Sequence, residues 1–136
     1  MADGARKHRV LIIEDEDNIA IALDFLMTRE GYTHDRVASG GEAMARIRAM
    51  QPDIVLLDVM LPEVSGYEIC QEVRADSALD HVKILMMTAR GSAMERRKGL
   101  ALGADGFIAK PFELKELRAE VKRLLEAPST TEGGAA

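Results

Sequence analysis

The chain is poor in the residues that would give it a covalent frame. Among its 136 residues Cys70 is the one cysteine, so no disulfide can form within it, a usage that fits a reducing cytoplasm. Long hydrophobic runs are missing too. Stretches such as Val10-Leu11-Ile12-Ile13 stop after four or five residues, against the roughly 20 that a membrane helix needs. No membrane insertion is expected. Residues 1–9 are polar and end in basic side chains, unlike a secretory signal. Basic charge is in deficit, with 18 Lys+Arg against 23 Asp+Glu and a net charge of −5. An acidic surface repels phosphate backbones, so this segment is not expected to bind nucleic acid directly. No repeat with a period of roughly 20–50 residues is found, which excludes solenoids and propellers.

What is present suits one soluble domain. The mass is 14.9 kDa, with 47% apolar and 30% charged residues. Residues 1–8 read as a flexible N-terminus. Residues 127–136 read as a flexible tail or linker, too small and polar to offset the entropy of ordering by burial. The folded part is 9–126.

Within it two periods alternate. Arg9–Ile13 and Ile54–Leu57 are short, continuous apolar runs, the mark of strands buried on both faces. Val82–Met87, Phe107–Ala109 and the weaker His34–Ala38 complete five strands. Apolar stripes at helical spacing fill the gaps. They are Ile19/Ala22/Leu23/Leu26/Met27, Ala43/Met44/Ile47/Met50, Ile69/Cys70/Val73, a weak Met94–Leu102, and Leu114/Leu117/Val121/Leu124/Leu125. Gly31 and Gly103 stand where left-handed helix caps would. The alternation predicts an α/β fold, a parallel sheet with helices on both faces and right-handed crossovers. In such sheets ligands bind beyond the carboxyl ends of the strands.

Those ends carry the chemistry. Strand one runs into Glu14-Asp15, strand three into Asp58, strand four into Thr88-Ala89 and strand five into Lys110-Pro111. Alone, each fits a turn, a cap or a surface lysine. Together they gather carboxylates, a hydroxyl and an ammonium at one sheet edge. The like charges of Glu14, Asp15 and Asp58 would repel one another, and a hard divalent cation such as magnesium would relieve that. Lys110 and Thr88 can reach phosphoryl oxygens. A carboxylate nucleophile, a metal, a cation and a hydroxyl donor are the parts phosphoryl transfer requires.

With these motifs in place the sequence resembles the receiver domain of two-component response regulators, of the chemotaxis-regulator-like kind, over about residues 8–126. The resemblance rests on Val10 to Glu16, Pro52 to Pro62, Gly66, Met87-Thr88-Ala89-Arg90, Gly103-Ala104-Asp105 and Lys110-Pro111-Phe112. It implies a flavodoxin-like five-stranded sheet in the order 2-1-3-4-5. It implies that Asp58 accepts a phosphoryl group from the phosphohistidine of a sensor histidine kinase or histidine phosphotransfer protein. Mg2+ would be held by Glu14, Asp15, Asp58 and the backbone carbonyl of Met60. Thr88 would swing towards the phosphoryl group, Lys110 would pair with it, and the Lys110-Pro111 bond would be cis. Thr88 and Phe107 would form the switch that repacks the helix four–strand five–helix five surface for a downstream protein target. Asn18, Ile19, Ala22 and Phe112 would dock the kinase. Met60 and Arg90 flank the cleft and are expected to tune the lifetime of the phosphorylated state. The protein would be a cytoplasmic signalling domain, not an enzyme.

Two departures bear on output. Phe107 stands where many members carry Tyr, so no hydroxyl is present there. Gly106 and Glu120 replace positions that are commonly Asp and Arg in the winged-helix transcription-factor subfamily, where that pair helps join two receivers. These departures favour a stand-alone receiver; the alternative is the receiver half of a larger DNA-binding transcription factor. An aspartate-nucleophile phosphatase would need Asp-x-Asp, and Met60 occupies the second position. A nucleotide-binding domain is rejected, since no G-x-G-x-x-G follows strand one and Glu14 to Asp17 would repel a pyrophosphate. His8, His34 and His81 are expected on the surface, Cys70 in the core, and the methionines in packing.

Overall fold

The computed structural model describes residues 8–89 and 93–127. Five strands form one parallel sheet: β1 (Arg9–Ile13), β2 (Thr33–Val37), β3 (Ile54–Asp58), β4 (Lys83–Thr88) and β5 (Gly106–Ala109). Five α-helices alternate with them: α1 (Asp17–Glu30), α2 (Ala43–Met50), α3 (Gly66–Ala75), α4 (Ala93–Ala101) and α5 (Leu114–Glu126). The strand order is β2-β1-β3-β4-β5, the order the resemblance implies. Arg90 and most of both termini lie outside the described residues.

Alternation along the strands sorts the core into two layers. Val10 and Ile12 of β1, Ile54 and Leu56 of β3, and Leu85 and Met87 of β4 face α1 and α5, meeting Leu23, Met27, Leu117 and Val121. Leu11, Ile13, Val55, Leu57, Ile84 and Met86 face the other way, onto Ile47 of α2 and Ile69, Cys70 and Val73 of α3. The three central strands are thus apolar on both faces, and only a parallel sheet with helices on both sides buries them. Edge strand β2 is mostly polar, with Thr33, His34, Asp35 and Arg36 before Val37.

Local signals set the ends. α1 stops at Gly31, whose φ of +82° suits glycine. Its N–H donates to the Thr28 carbonyl at 3.1 Å, and that of Tyr32 to the Met27 carbonyl at 3.1 Å, a Schellman closure. Ser65 begins α3 in a reciprocal box with Glu68. Gly103 has a φ of +109°, and its carbonyl accepts from Arg74 Nε at 2.8 Å. Arg74 Nη2 also bonds Asp105 Oδ2 at 2.6 Å, and that oxygen accepts the Ile84 N–H at 2.8 Å. The Gly103-Ala104-Asp105 motif is therefore structural, tying α3 to the start of β5.

Some expectations change. His34 is not a plain surface residue, since its ring bonds Thr28 Oγ1 at 2.9 Å and Asp24 Oδ1 at 3.2 Å. Met60 and Met94 are not packing residues: they stand 74% and 75% exposed. Leu114 closes the α5 stripe only loosely. α4 buries a single residue, Gly99, where an added Cβ would sit 3.0 Å from both Met86 Sδ and Phe107 Cε2.

Candidate functional site

β1 and β3 are neighbours, yet the chain leaves them towards opposite edges of the sheet. A cleft opens at such a reversal, beyond the carboxyl ends of the strands. Glu14 and Asp58 stand on its two sides.

Glu14 is not a solvated turn residue; it is fully buried. Its Oε1 accepts from Lys110 Nζ at 2.9 Å and its Oε2 from the Glu16 N–H at 3.0 Å. Its carbonyl accepts two bonds from Arg36, Nε at 3.0 Å and Nη2 at 2.9 Å. Arg36 also pairs with Asp17 at 3.0 Å, which pins the turn between β1 and α1. Sequence reading passed over Arg36. The one signal was a cation in a weak edge strand, in register with Ile12.

Asp58 is the last residue of β3 and is 4% exposed. Its Oδ1 lies 3.4 Å from Lys110 Nζ and accepts the Met60 N–H at 3.3 Å. Burial, then the Glu14 charge, push its carboxyl up to about 6, against the pull of Lys110. Burial alone would lower the Lys110 ammonium, but the bonds to Glu14 and the charge of Asp58 outweigh it, and the net shift is upward. One ammonium thus bridges two buried carboxylates. Replacing Lys110 by Met is expected to drive the Asp58 carboxyl above about 6. A carbonyl-carbon NMR titration of Asp58 would read it, and an unchanged midpoint would contradict the bridge.

The other predicted residues gather around this pair. Asp15 is exposed beside it. Carboxylate oxygens of Glu14, Asp15 and Asp58 all lie within 4.8 Å of one another. Thr88 ends β4 and is buried, and its carbonyl accepts the Lys110 N–H at 2.7 Å. The Lys110-Pro111 bond is cis. A cavity of about 420 Å³ lies over Asp58, lined by Asp15, Glu16, Met60, Ala89 and Lys110. Beside it runs a groove of about 690 Å³ that contains Asn18, Ile19, Ala22 and Phe112 in its lining, and shares Glu16, Ala89 and Lys110 with the cavity. The structure brings all of these residues together.

A family model for the response regulator receiver domain matches residues 10–122. The chain belongs to that family. Its relatives include the phosphate regulon transcriptional regulatory protein PhoB of Rhizobium meliloti, 40% identical over 117 residues. That match takes in 86% of this chain and 52% of PhoB, so this receiver spans about half the length of such a relative. The crystal structure of a candidate response regulator from Chloroflexus aurantiacus is 38% identical with a TM-score of 0.85, over 90% of this chain and 100% of that one. The receiver domain of sensor histidine kinase PA1611 from Pseudomonas aeruginosa, with a magnesium ion in its active-site cleft, is 27% identical with a TM-score of 0.81, over 90% and 100% of the two chains.

Two residues of the receiver's opposite side complete the geometry. Phe107 is buried, its ring against Gly99 of α4. Tyr67, at the start of α3, donates its hydroxyl to Glu95 of α4, and Lys98 Nζ lies 4.3 Å above its ring. Burial and the Glu95 carboxylate push the Tyr67 phenol up to about 12. Sequence reading missed this clasp, because its partners are 28 residues apart and form no local motif.

Proposed function

We propose that Asp58 is the phosphoacceptor of this response regulator receiver. The carrying observation is a buried carboxylate at the end of β3, bridged by Lys110 to a second buried carboxylate. A carboxyl at about 6 is about nine-tenths ionised at pH 7. An Asp58 oxygen attacks phosphorus, and the bond from phosphorus to the donor's imidazole nitrogen breaks. The phosphoryl group moves to Asp58 and the imidazole leaves. Lys110, already 3.4 Å from Asp58 Oδ1, stays beside the new negative charge. Thr88, at the neighbouring strand end, orients a phosphoryl oxygen.

The donor set fits magnesium, a hard cation that takes one or two carboxylates. Asp15 and Asp58 would hold it with the Met60 carbonyl, and Glu14, whose oxygens also accept from Lys110 and the Glu16 N–H, would hold it directly or through water. A magnesium ion bound there would supply positive charge to offset that of the phosphoryl oxygens. Magnesium at ten times its Kd is expected to stabilise the protein by about 1.4 kcal/mol. A Tm unmoved by millimolar magnesium would contradict the site.

The groove containing Asn18, Ile19, Ala22 and Phe112 supports docking of a sensor kinase or phosphotransfer helix next to Asp58. Phosphorylation adds about −1.5 to −2 charges, and Thr88 and Phe107 carry that change to α4, β5 and α5. Gly106 offers no side chain there, and Glu120 closes onto Arg123 of its own helix at 2.7 Å. This supports output through a downstream protein rather than charge-paired dimerisation. The half-length match to PhoB favours a second reading, the receiver of a larger DNA-binding regulator. No described helix is long and apolar enough to cross a membrane, and we place the protein in the cytoplasm as a signalling domain.

Intact-mass spectrometry after incubation with a small acyl-phosphate donor and Mg2+ tests the reading. One added phosphoryl group is expected on the native chain and none on Asp58→Asn. An adduct that survives in Asp58→Asn would place the acceptor elsewhere.

A further inference from the structure

Met60 is an apolar side chain in an unusual position. It stands 74% exposed and forms part of the wall of the cavity over Asp58, with Asp15, Glu16, Ala89 and Lys110. Met94 is as exposed, at 75%, but does not line that cavity. Met27, Met86 and Met87 are fully buried. The lone thiol is enclosed too: Cys70 is buried, with Sγ 3.5 Å from the Leu102 carbonyl. Burial pushes that thiol up to about 11, so it holds little of the reactive thiolate at neutral pH. Among the described residues, the sulfur open to an oxidant is therefore thioether, and one of the two exposed methionines lines the same cavity as the acceptor carboxylate.

We propose that Met60 is a redox modification site, at which peroxide oxidation to the sulfoxide shortens the lifetime of the phosphoryl group on Asp58. The inference rests on the reading of Asp58 as phosphoacceptor. The sulfur lone pair attacks one peroxide oxygen and the O–O bond breaks. Sulfur is oxidised by two electrons, and hydrogen peroxide is reduced to water. The thioether is a weak acceptor that holds water poorly. The sulfoxide is polar, and its oxygen accepts strongly. At the cavity wall it orders a water beside the acyl phosphate. That water attacks phosphorus, the bond from phosphorus to the Asp58 oxygen breaks, and inorganic phosphate leaves with the Asp58 carboxylate regenerated. A methionine sulfoxide reductase reverses the change, using a thiol reductant.

The test begins with untreated protein, loaded with an acyl-phosphate donor and Mg2+ and followed by intact mass. No phosphoryl uptake at this stage would sink the acceptor reading, and the inference falls with it. Protein oxidised with hydrogen peroxide, its oxidised residues mapped by peptide mass spectrometry, is then loaded and followed in the same way. Met60 and Met94 should each take up one oxygen. The half-life of the Asp58 phosphate should fall about two- to tenfold, the factor that one net hydrogen bond carries in a barrier. Met94→Leu should keep this response, Met60→Leu should abolish it, and reductase treatment should restore the original half-life. Full oxidation of Met60 with an unchanged or longer half-life would overturn the proposal. So would a response that persists in Met60→Leu, or a Met60 that stays reduced while Met94 is oxidised.

Discussion

Asp58→Asn is expected to make the protein more stable at pH 8, in metal-free buffer, by about 2 kcal/mol. The carboxyl titrates at about 6 in the folded protein and at 3.8 without the fold. Between those values the native state binds the proton more tightly than the unfolded chain. Stability contributed by that proton is complete below pH 3.8 and is lost as the pH rises through about 6. At pH 8 the ionised carboxylate therefore costs about 3 kcal/mol relative to its neutral form. Asparagine removes that cost at nearly constant volume. It also gives up the attraction to Lys110, which keeps Glu14 as its partner, so the net gain is smaller. The advantage should shrink to about half by pH 5, where Asp58 itself has taken up its proton. A gain of about 2 kcal/mol corresponds to roughly 5–10 °C in Tm for a domain of this size. Thermal melts of both proteins at several pH values would measure it. A mutant less stable than the parent at pH 8 would mean that the cluster is not repulsive.

Gly66→Ala is expected to act in the opposite direction, by about 3 kcal/mol or more. Away from a clash, alanine in a helix is favoured over glycine by about 1 kcal/mol. Here an added Cβ would sit 2.4 Å from the Asp58 carbonyl oxygen, 2.8 Å from Val59 Cα and 3.1 Å from the Asp58 carbonyl carbon. All three are backbone atoms and cannot rotate away. The Gly66 N–H also donates to the Val59 carbonyl at 2.9 Å, so α3 cannot back off without losing that bond. The strain falls on the segment that aims Asp58, and phosphoryl uptake should drop with stability. Gly41→Ala is the control: its Cβ would meet Glu63 Oε1, the far end of a flexible side chain. Chemical denaturation of the two variants should separate them clearly. Equal, small losses would refute the close-approach role of Gly66.

The sheet was legible because its strands obey one strong rule. Val10 to Ile13 and Ile54 to Leu57 are apolar on both faces, and the observed strands match them to within a residue or two at each end. The strand ends were legible for the same reason, since a charge after such a run has few places to go. Glu14 was harder. In sequence it looks like one of four solvated acids, and only the fold encloses it with Lys110, 96 residues away. Arg36 and the Tyr67 clasp left almost no trace, because their roles depend on which elements become neighbours. α4 was weak in sequence for a physical reason: its pattern holds little to bury.

That weakness gives α4 a particular energy surface. Its shift uncovers almost no apolar area of its own, because Gly99 is its one buried position and has no side chain; the apolar surface at stake belongs to Met86 and Phe107 beneath it. The hydrophobic effect therefore holds it only through that one patch. What resists displacement is the fit over Phe107 and the polar clasp at Tyr67. Both are short-range, and the polar one can be exchanged for contacts with water or with another protein. A partner needs to supply only a few such contacts to draw α4 into a different pose. The outer face of α4 is thus a surface whose shape is set jointly by the receiver and by whatever binds it.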